Sequence, residues 1–458
     1  MSQSSGAPRC GGVRHALRSP ASAVQTLPRP LPLPYPQIDA HDHVTDIETS
    51  LLLADCVHCG FCLPTCPTYV LWGEEMDSPR GRIQLMEAHL DGTMTLNRTV
   101  VEHFDRCLGC MACVSSCPSG VRYDRLIEAT RHTIESEFPR TRSERLIRGI
   151  LFRLLPYPGR MRVALRLAPL GRLAPLPSQL RPLVEIAPPW RSTEAPAQVT
   201  PARGEPRGRV GILTGCVQSA VFGSVNTATA RVLAADGFEV AAPPQGCCGA
   251  LSVHAGRLEE GKAFARRLIA SFDGIETVVV NASGCGSHLK ELGWLLADDP
   301  TWADRAAEFS ARVRDVGELL RDVEPQATRH PLPLRVALQD SCHLRHAQRL
   351  PLSSARSLAR IPGLEVVEPA EQDLCCGSAG IYNVVQAEAA RELGERKARN
   401  VLATGAQVVA SANPGCLVQL ATTLRRMKQS LPTLHPIELV DASIRGVPAG
   451  KLRSEARR

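Results

Sequence analysis

The sequence predicts an α+β protein of several domains: a helical, cysteine-rich N-terminal module followed by two repeated α/β domains. Three observations carry that prediction. Two cysteine runs with the same internal spacing lie between Cys56 and Cys117. Farther on, a second pattern occurs twice: a single cysteine, then Cys-Cys-Gly, then another single cysteine. Around these repeats, short β-branched segments alternate with helical ones, the texture of α/β units with parallel strands. A chain of 458 residues is also too long for one small core.

The elements follow in chain order. Residues 1–44 are expected to form a disordered arm rich in proline and arginine. The first 38 or so contain no acidic residue and include the run from Leu27 to Pro34, in which every second residue is proline. Proline at that density sustains neither helix nor sheet. Met1 through Pro20 lack the apolar core of a secretory signal. Organellar transit peptides share the acid-free composition, but they need an amphipathic helix that these prolines discourage. Cys10, alone in the arm, reads as an exposed thiol with no ligand role.

Residues 45–138 carry the first cysteine block, and Gly81–Leu90 within it has helical apolar spacing. Residues 139–206 are expected to be a basic connector, with a helix over Glu144–Leu155 whose apolar positions alternate with Arg145, Arg148 and Arg153. Such a helix suits a surface that meets a partner subunit or anionic lipid, and equally an arginine-bordered helix packed on its own protein. Residues 207–330 and 331–445 are the two repeats. Val210–Leu213, Thr277–Val280, Leu334–Leu338 and Gln407–Ala410 read as buried strands, and Ser224–Asp236 and Ala387–Leu402 as helices. Residues 446–458 are a basic tail.

The 17 cysteines are the unusual feature of the composition. They fall in C-x2-C runs and adjacent pairs, which suit metal better than disulfides, so a reducing cytoplasm is the expected compartment. No stretch reaches the roughly 18–20 apolar residues of a membrane span. Contact with the inner membrane face would therefore be peripheral. The net charge of +7 gathers in the arm and connector, and nothing calls for nucleic acid as a partner. Arginine outnumbers lysine 48 to 5, a compositional bias rather than a functional signal.

Cys56-x2-Cys59-x2-Cys62-x3-Cys66-Pro67 has the spacing of an iron–sulfur run, and Cys107-x2-Cys110-x2-Cys113-x3-Cys117-Pro118 repeats it. Three thiolates so spaced wrap three corners of one cube from a single loop. The fourth cannot close the same cube without strain and crosses to the other. The expected ligand sets of two [4Fe–4S] clusters are therefore Cys56, Cys59, Cys62 and Cys117, and Cys66, Cys107, Cys110 and Cys113. Zinc takes four ligands and has no use for the third evenly spaced cysteine or the Cys-Pro that follows.

In the repeats, Cys216, Cys247, Cys248 and Cys285 correspond to Cys342, Cys375, Cys376 and Cys416. All eight are candidate ligands of a further iron–sulfur cluster, and each single cysteine follows a predicted strand. Arg80 and Arg82 can steer a partner, tune a cluster by charge, or simply begin a helix. His343 and His346, three apart, can share a helix face and allow a metal site there. No dinucleotide fingerprint, P-loop or nucleophile elbow is present, so a flavin would belong to another chain.

The first block resembles the α-helical ferredoxin module of succinate dehydrogenase iron–sulfur subunits. The Cys-Cys-Gly repeats resemble the cysteine-rich domains of heterodisulfide-reductase-type proteins. In that family the pattern ends in C-x-x-C and can hold a non-cubane cluster; here His288 and Gln419 replace the last cysteines, with His288 a candidate nitrogen ligand. The longest resemblance, over roughly residues 45–445, is to the iron–sulfur subunits of glycolate oxidases. It rests on Cys56–Tyr69, Ser78–Ile83, Cys117–Tyr123, both Cys-Cys-Gly repeats and His435-Pro-Ile-Glu438. It implies an electron-relay subunit of a glycolate oxidase complex, with FAD-binding partner subunits and a quinone or similar acceptor. Subunits of lactate and anaerobic glycerol-3-phosphate dehydrogenases share these modules and remain alternatives. So does a catalytic, heterodisulfide-reductase-like role, against which the missing last cysteines count.

Overall fold

Helices α1 (Asp46–Ala54), α2 (Pro67–Trp72), α3 (Pro79–Leu90), α4 (Arg98–Asp105), α5 (Ala112–Ser116) and α6 (Tyr123–Glu137) build the N-terminal module. The computed structural model describes residues 46–173, 180–188 and 195–457; the N-terminal arm and Cys10 lie outside the described residues. The helix expected at Gly81–Leu90 is α3. It starts earlier because the Ser78 hydroxyl accepts the Gly81 N–H at 3.0 Å and Pro79 occupies the first turn, where no amide is required. Ile83 and Met86 of α3 pack with Phe104 of α4 and Leu126 and Ile127 of α6. That small core fixes the two cysteine loops that leave it.

The connector is helical: α7 (Arg142–Leu154), α8 (Pro158–Leu173) and α9 (Arg181–Ile186). Thr141 and Glu144 form a reciprocal capping box at the start of α7. Its Leu151 and Phe152 are buried against Ile381 and Val384 of the second repeat. Arg140 pairs with Asp105 at 2.8 Å and Arg148 with Glu135 at 2.9 Å. The apolar side of α7 therefore packs on its own protein, while Leu146 on the other side remains 62% exposed.

Strands β1 (Val199–Thr200), β2 (Arg209–Leu213), β3 (Glu239–Ala241), β4 (Thr277–Val280) and β5 (Val313–Asp315) form one sheet in the order β1-β3-β2-β4-β5. Strands β6 (Arg335–Leu338), β7 (Glu365–Val367), β8 (Val408–Ala410) and β9 (Thr433–Leu434) form the other, in the order β7-β6-β8-β9. Every pairing is parallel except β1 with β3. All four strands expected from the sequence are present, and the shared order makes the repeat a structural one. One boundary shifts: β1 lies inside the stretch expected to be connector, so the first sheet begins at Val199.

After β2 come α10 (Cys216–Val221) and α11 (Gly223–Ala235). The repeats exchange their last helices. Val316–Asp322, after β5, packs on Ser353–Leu358 of the second repeat, and Pro436–Ile444, after β9, packs on α11 of the first. Arg231 of α11 grips the Asp441 carboxylate with bonds of 2.8 and 2.7 Å. Ile212, Val225, Val336 and Val440 consequently share one core. The segment expected as a basic tail is helical over Ala449–Arg457 and buries Leu452 in that core.

Parallel strands collect functional loops at their C-terminal ends. Cys216 follows β2, Cys285 follows β4, Cys342 follows β6 and Cys416 follows β8. The Ser283 and Ser341 hydroxyls are hydrogen-bonded, and Ser283 N–H donates to the Ala412 carbonyl at 3.1 Å. The loop ends of the two sheets thus face each other.

Candidate metal centres

The two N-terminal cysteine loops have the same backbone. His58 and Gly60 in the first, and Gly109 and Met111 in the second, occupy equivalent positions and all have φ between +52° and +85°. A left-handed histidine or methionine costs about 1–3 kcal/mol and persists only where its surroundings over-determine it. The turn curls each loop round its sulfurs: the Gly109 N–H donates to Cys107 Sγ at 3.4 Å.

Cys56, Cys59, Cys62, Cys113 and Cys117 line one cavity near the surface. Cys66 is buried, and its sulfur adds to the charge felt by Cys110 and Cys113 of the second loop and by Cys62 of its own. Burial pushes the Cys62 thiol up to about 11 and those of Cys110 and Cys113 well above the ordinary value. Thiols this crowded ionise together only around positive charge, which iron supplies. Two sets of soft sulfurs on curled loops fit two cubane clusters, which when bound would carry one electron at a time.

Cationic side chains favour the inner set. Burial works to raise the Cys107 thiol, but Arg82 and Arg131 outweigh it and leave that thiol below its ordinary value. Arg82 is 1% exposed and donates to the His103 carbonyl at 2.7 Å and the Thr68 hydroxyl at 3.2 Å. It thus acts both in structure and in electrostatics. Arg80 pairs with Glu75 and donates to the His58 carbonyl at 3.1 Å, pinning the outer loop.

In the first repeat, Cys216 and Cys247 sulfurs lie 3.5 Å apart, with Cys248 close to Cys285. In the second, Cys342 lies 3.9 Å from Cys375, and Cys376 lies 3.4 Å from Cys416. Each Cys-Cys-Gly ends in a left-handed glycine, Gly249 (φ +93°) and Gly377 (φ +86°). A Cβ there would come within 2.8 Å of the Gly261 carbonyl oxygen or 2.7 Å of that of Ala390. Only glycine fits on both counts.

The repeats differ at their last position. Burial depresses His288 to about 4, and its Nε2 is buried with no hydrogen-bond partner, so a neutral imidazole stands ready as a ligand. Gln419 is used up, donating to the Ala390 carbonyl at 2.7 Å. His343 and His346 also differ from expectation. Their ring nitrogens bond Ser287 and the Gly109 carbonyl, and Ser115 and the Asp373 carbonyl, at 2.7–3.0 Å. They stitch the second repeat to the inner cysteine loop, and among the described residues no group converges on a single metal ion.

Sequence reasoning missed several residues. Lys397, 1% exposed, approaches the sulfurs of Cys375, Cys376 and Cys416. Arg131 donates to the Cys107 carbonyl, and Glu128 accepts from His254 Nδ1 at 2.7 Å. None sits in a cysteine motif, and no local pattern marks them.

Comparison with known proteins agrees with this layout. The model of the 4Fe-4S dicluster domain matches residues 52–121, and that of the cysteine-rich domain matches residues 210–290 and 336–421. The chain is 38% identical over 397 residues to a probable glycolate oxidase iron-sulfur subunit of Bacillus subtilis, covering 82% of this chain and 89% of that one. It is 36% identical over 409 residues to the glycolate oxidase iron-sulfur subunit of Escherichia coli, covering 87% of this chain and 96% of that one. Lactate utilization protein A of Bacillus subtilis is 27% identical, over 51% of this chain and 99% of its own length.

Proposed function

The chain belongs to the family of glycolate oxidase iron–sulfur subunits, and from that premise we propose that it is the electron relay of such a complex. Electrons taken from glycolate, as it becomes glyoxylate, leave an FAD-binding partner subunit singly. They cross the two cubane centres of this chain, held by Cys56, Cys59, Cys62 and Cys117 and by Cys66, Cys107, Cys110 and Cys113. They end on a quinone or a similar acceptor. On this reading the hydride chemistry belongs to the partner's flavin and this chain supplies the one-electron carriers.

One observation carries the reading: the sulfur groups are graded in depth. Cys59 is exposed, flanked by Val57 at 68% and Phe61 at 65% exposure, a patch suited to a docking partner. Cys66, Cys107 and Cys110 are buried, and Cys110 lies next to Cys342 of the second repeat. A catalytic role at the repeats is less well supported, since Gln419 is committed to the backbone.

The purified chain is expected to be inert toward glycolate. Co-expressed with its flavoprotein partners it should support glycolate-dependent dye reduction, and Cys59→Ser or Cys110→Ser should remove that activity. Robust glycolate oxidation by this chain alone would refute the relay. Activity with lactate or glycerol 3-phosphate but not glycolate would keep the relay and replace the substrate.

The repeat cysteines, with His288, are proposed to hold a further cluster. Cys248→Ser should then lower the iron content by about three to four atoms per chain. Unchanged iron with an intact fold would leave these loops without metal.

A further inference from the structure

Three arginines stand against the two cysteine loops, and they differ in what neutralises their charge. Arg80, at the outer loop, is paired with Glu75. Arg82, at the inner loop, faces the Asp77 carboxylate at 3.4 Å. Arg131 of α6 instead gives its two terminal nitrogens to backbone carbonyls, one to that of Cys107 and the other to that of His254 at 2.9 Å. Among the described residues no carboxylate pairs with it.

Arg131 is also fixed in place by the first repeat. Gly256 is left-handed (φ +84°), and a Cβ there would come within 2.1 Å of the Arg131 carbonyl oxygen, so only glycine lets that turn lie against α6. His132 Nδ1 bonds the Gly256 carbonyl at 3.0 Å. The half-buried guanidinium covers the inner cysteine turn, 3.4 Å from where a Gly109 Cβ would stand. An arginine does not lose its proton in a protein, so the charge there is permanent.

Its neighbour Cys107 Sγ accepts from the Gly109 N–H at 3.4 Å and from the Tyr123 hydroxyl at 3.8 Å. A cubane centre gains negative charge when it takes an electron, so burial alone would leave the inner centre the harder one to reduce. Donors to sulfur and an unneutralised cation act the other way. At the outer centre the arginine is matched by Glu75.

We infer that Arg131 sets the order of the relay: its charge lifts the inner centre above the outer one in reduction potential, so that electrons entering beside Cys59 run inward. This inference rests on the relay reading and deepens it. In the step concerned, one electron leaves the outer centre as one arrives at the inner. No bond forms or breaks, and no proton moves. Because the His254 carbonyl and the Gly256 turn hold Arg131, the first repeat tunes a centre that belongs to the N-terminal module.

The test is a redox titration of the anaerobic, cluster-loaded full chain, followed by electron paramagnetic resonance. The inner signal is the one that Cys107→Ser abolishes. In the wild type its midpoint should lie above that of the outer signal. Arg131→Gln and Arg131→Met should each lower the inner reduction equilibrium by about tenfold, or about 59 mV for one electron, and leave the outer midpoint in place. Arg131→Lys, which keeps the charge, should stay close to the wild type. Iron content and the cluster absorption band check that both centres are loaded in each variant. An inner midpoint below the outer in the wild type would overturn the inference. So would neutral variants with an unmoved inner midpoint, or a lysine variant that shifts as far as the glutamine one. Glycolate-dependent dye reduction by the wild-type complex tests the relay separately: dye activity with the opposite order of potentials refutes the role of Arg131 alone.

Discussion

Cys66→Ser is expected to destroy the cluster of the other loop. The variant should fall from about eight to about four iron atoms in the two cubane centres. Its spectrum should match that of Cys107→Ser, whereas Cys62→Ser should lose the complementary set of signals. The crossed assignment motivates this: the buried Cys66 sulfur acts on Cys110 and Cys113, while Cys117 lines the outer cavity with Cys56, Cys59, Cys62 and Cys113. Serine offers a harder, poorer ligand at nearly the same size, so the fold should survive the loss. In the assembled complex, dye reduction should drop to background if the dye draws electrons from beyond the inner centre. If Cys66→Ser and Cys107→Ser abolish different signals, the crossed assignment is wrong.

Asp77→Ala is expected to cost about 3–5 kcal/mol, the range for breaking a buried ionic network from one side. Asp77 is fully buried. Its carboxylate accepts from His103 Nδ1 and Arg106 at 2.9 Å each and faces Arg82 at 3.4 Å. Alanine would leave the Arg82 guanidinium without its carboxylate in the interior. Urea titration of anaerobic protein gives the comparison, with Asp77→Asn as a milder control that keeps acceptor capacity but not charge. A cost below about 1 kcal/mol would mean the network behaves like a solvated surface pair. Because the Asp77 carbonyl accepts from Thr68 at 2.6 Å, close to Cys66 Sγ, the alanine variant should also disturb the inner cluster's spectrum.

Much of this architecture was legible because it rests on local signals. Buried strands are short β-branched runs, and Val278, Val279 and Val280 leave little choice but a parallel interior strand. The crossed ligand sets are an expectation from the spacing, which the Cys66 variant tests. What was not legible depends on contacts between distant segments. The helix exchange joins Arg231 to Asp441 across 210 positions, and neither residue's neighbours announce it. The left-handed backbone at His58 and Met111 is hidden because neither residue type favours it, whereas Gly60 and Gly109 beside them do. The connector was ambiguous because an amphipathic basic helix looks the same whether its apolar side meets a partner or its own chain. Ile381 and Val384 decided for the latter at Leu151 and Phe152. Lys397 was invisible for a similar reason: it is an unremarkable residue until the fold carries it to a sulfur group.

The exposure of Cys59, Val57 and Phe61 has a cost for the unassembled chain. On the proposed relay, the outer cluster that a flavoprotein would approach is equally open to dioxygen, whereas the inner centre is wrapped by α2, α5 and the second repeat. Air should therefore strip the outer centre first, leaving a chain that still holds an inner cluster but has lost its electron entry. Docking would cover that patch. Assembly is then the shield as well as the circuit, and a subunit made without its partner decays at the point where the partner should bind.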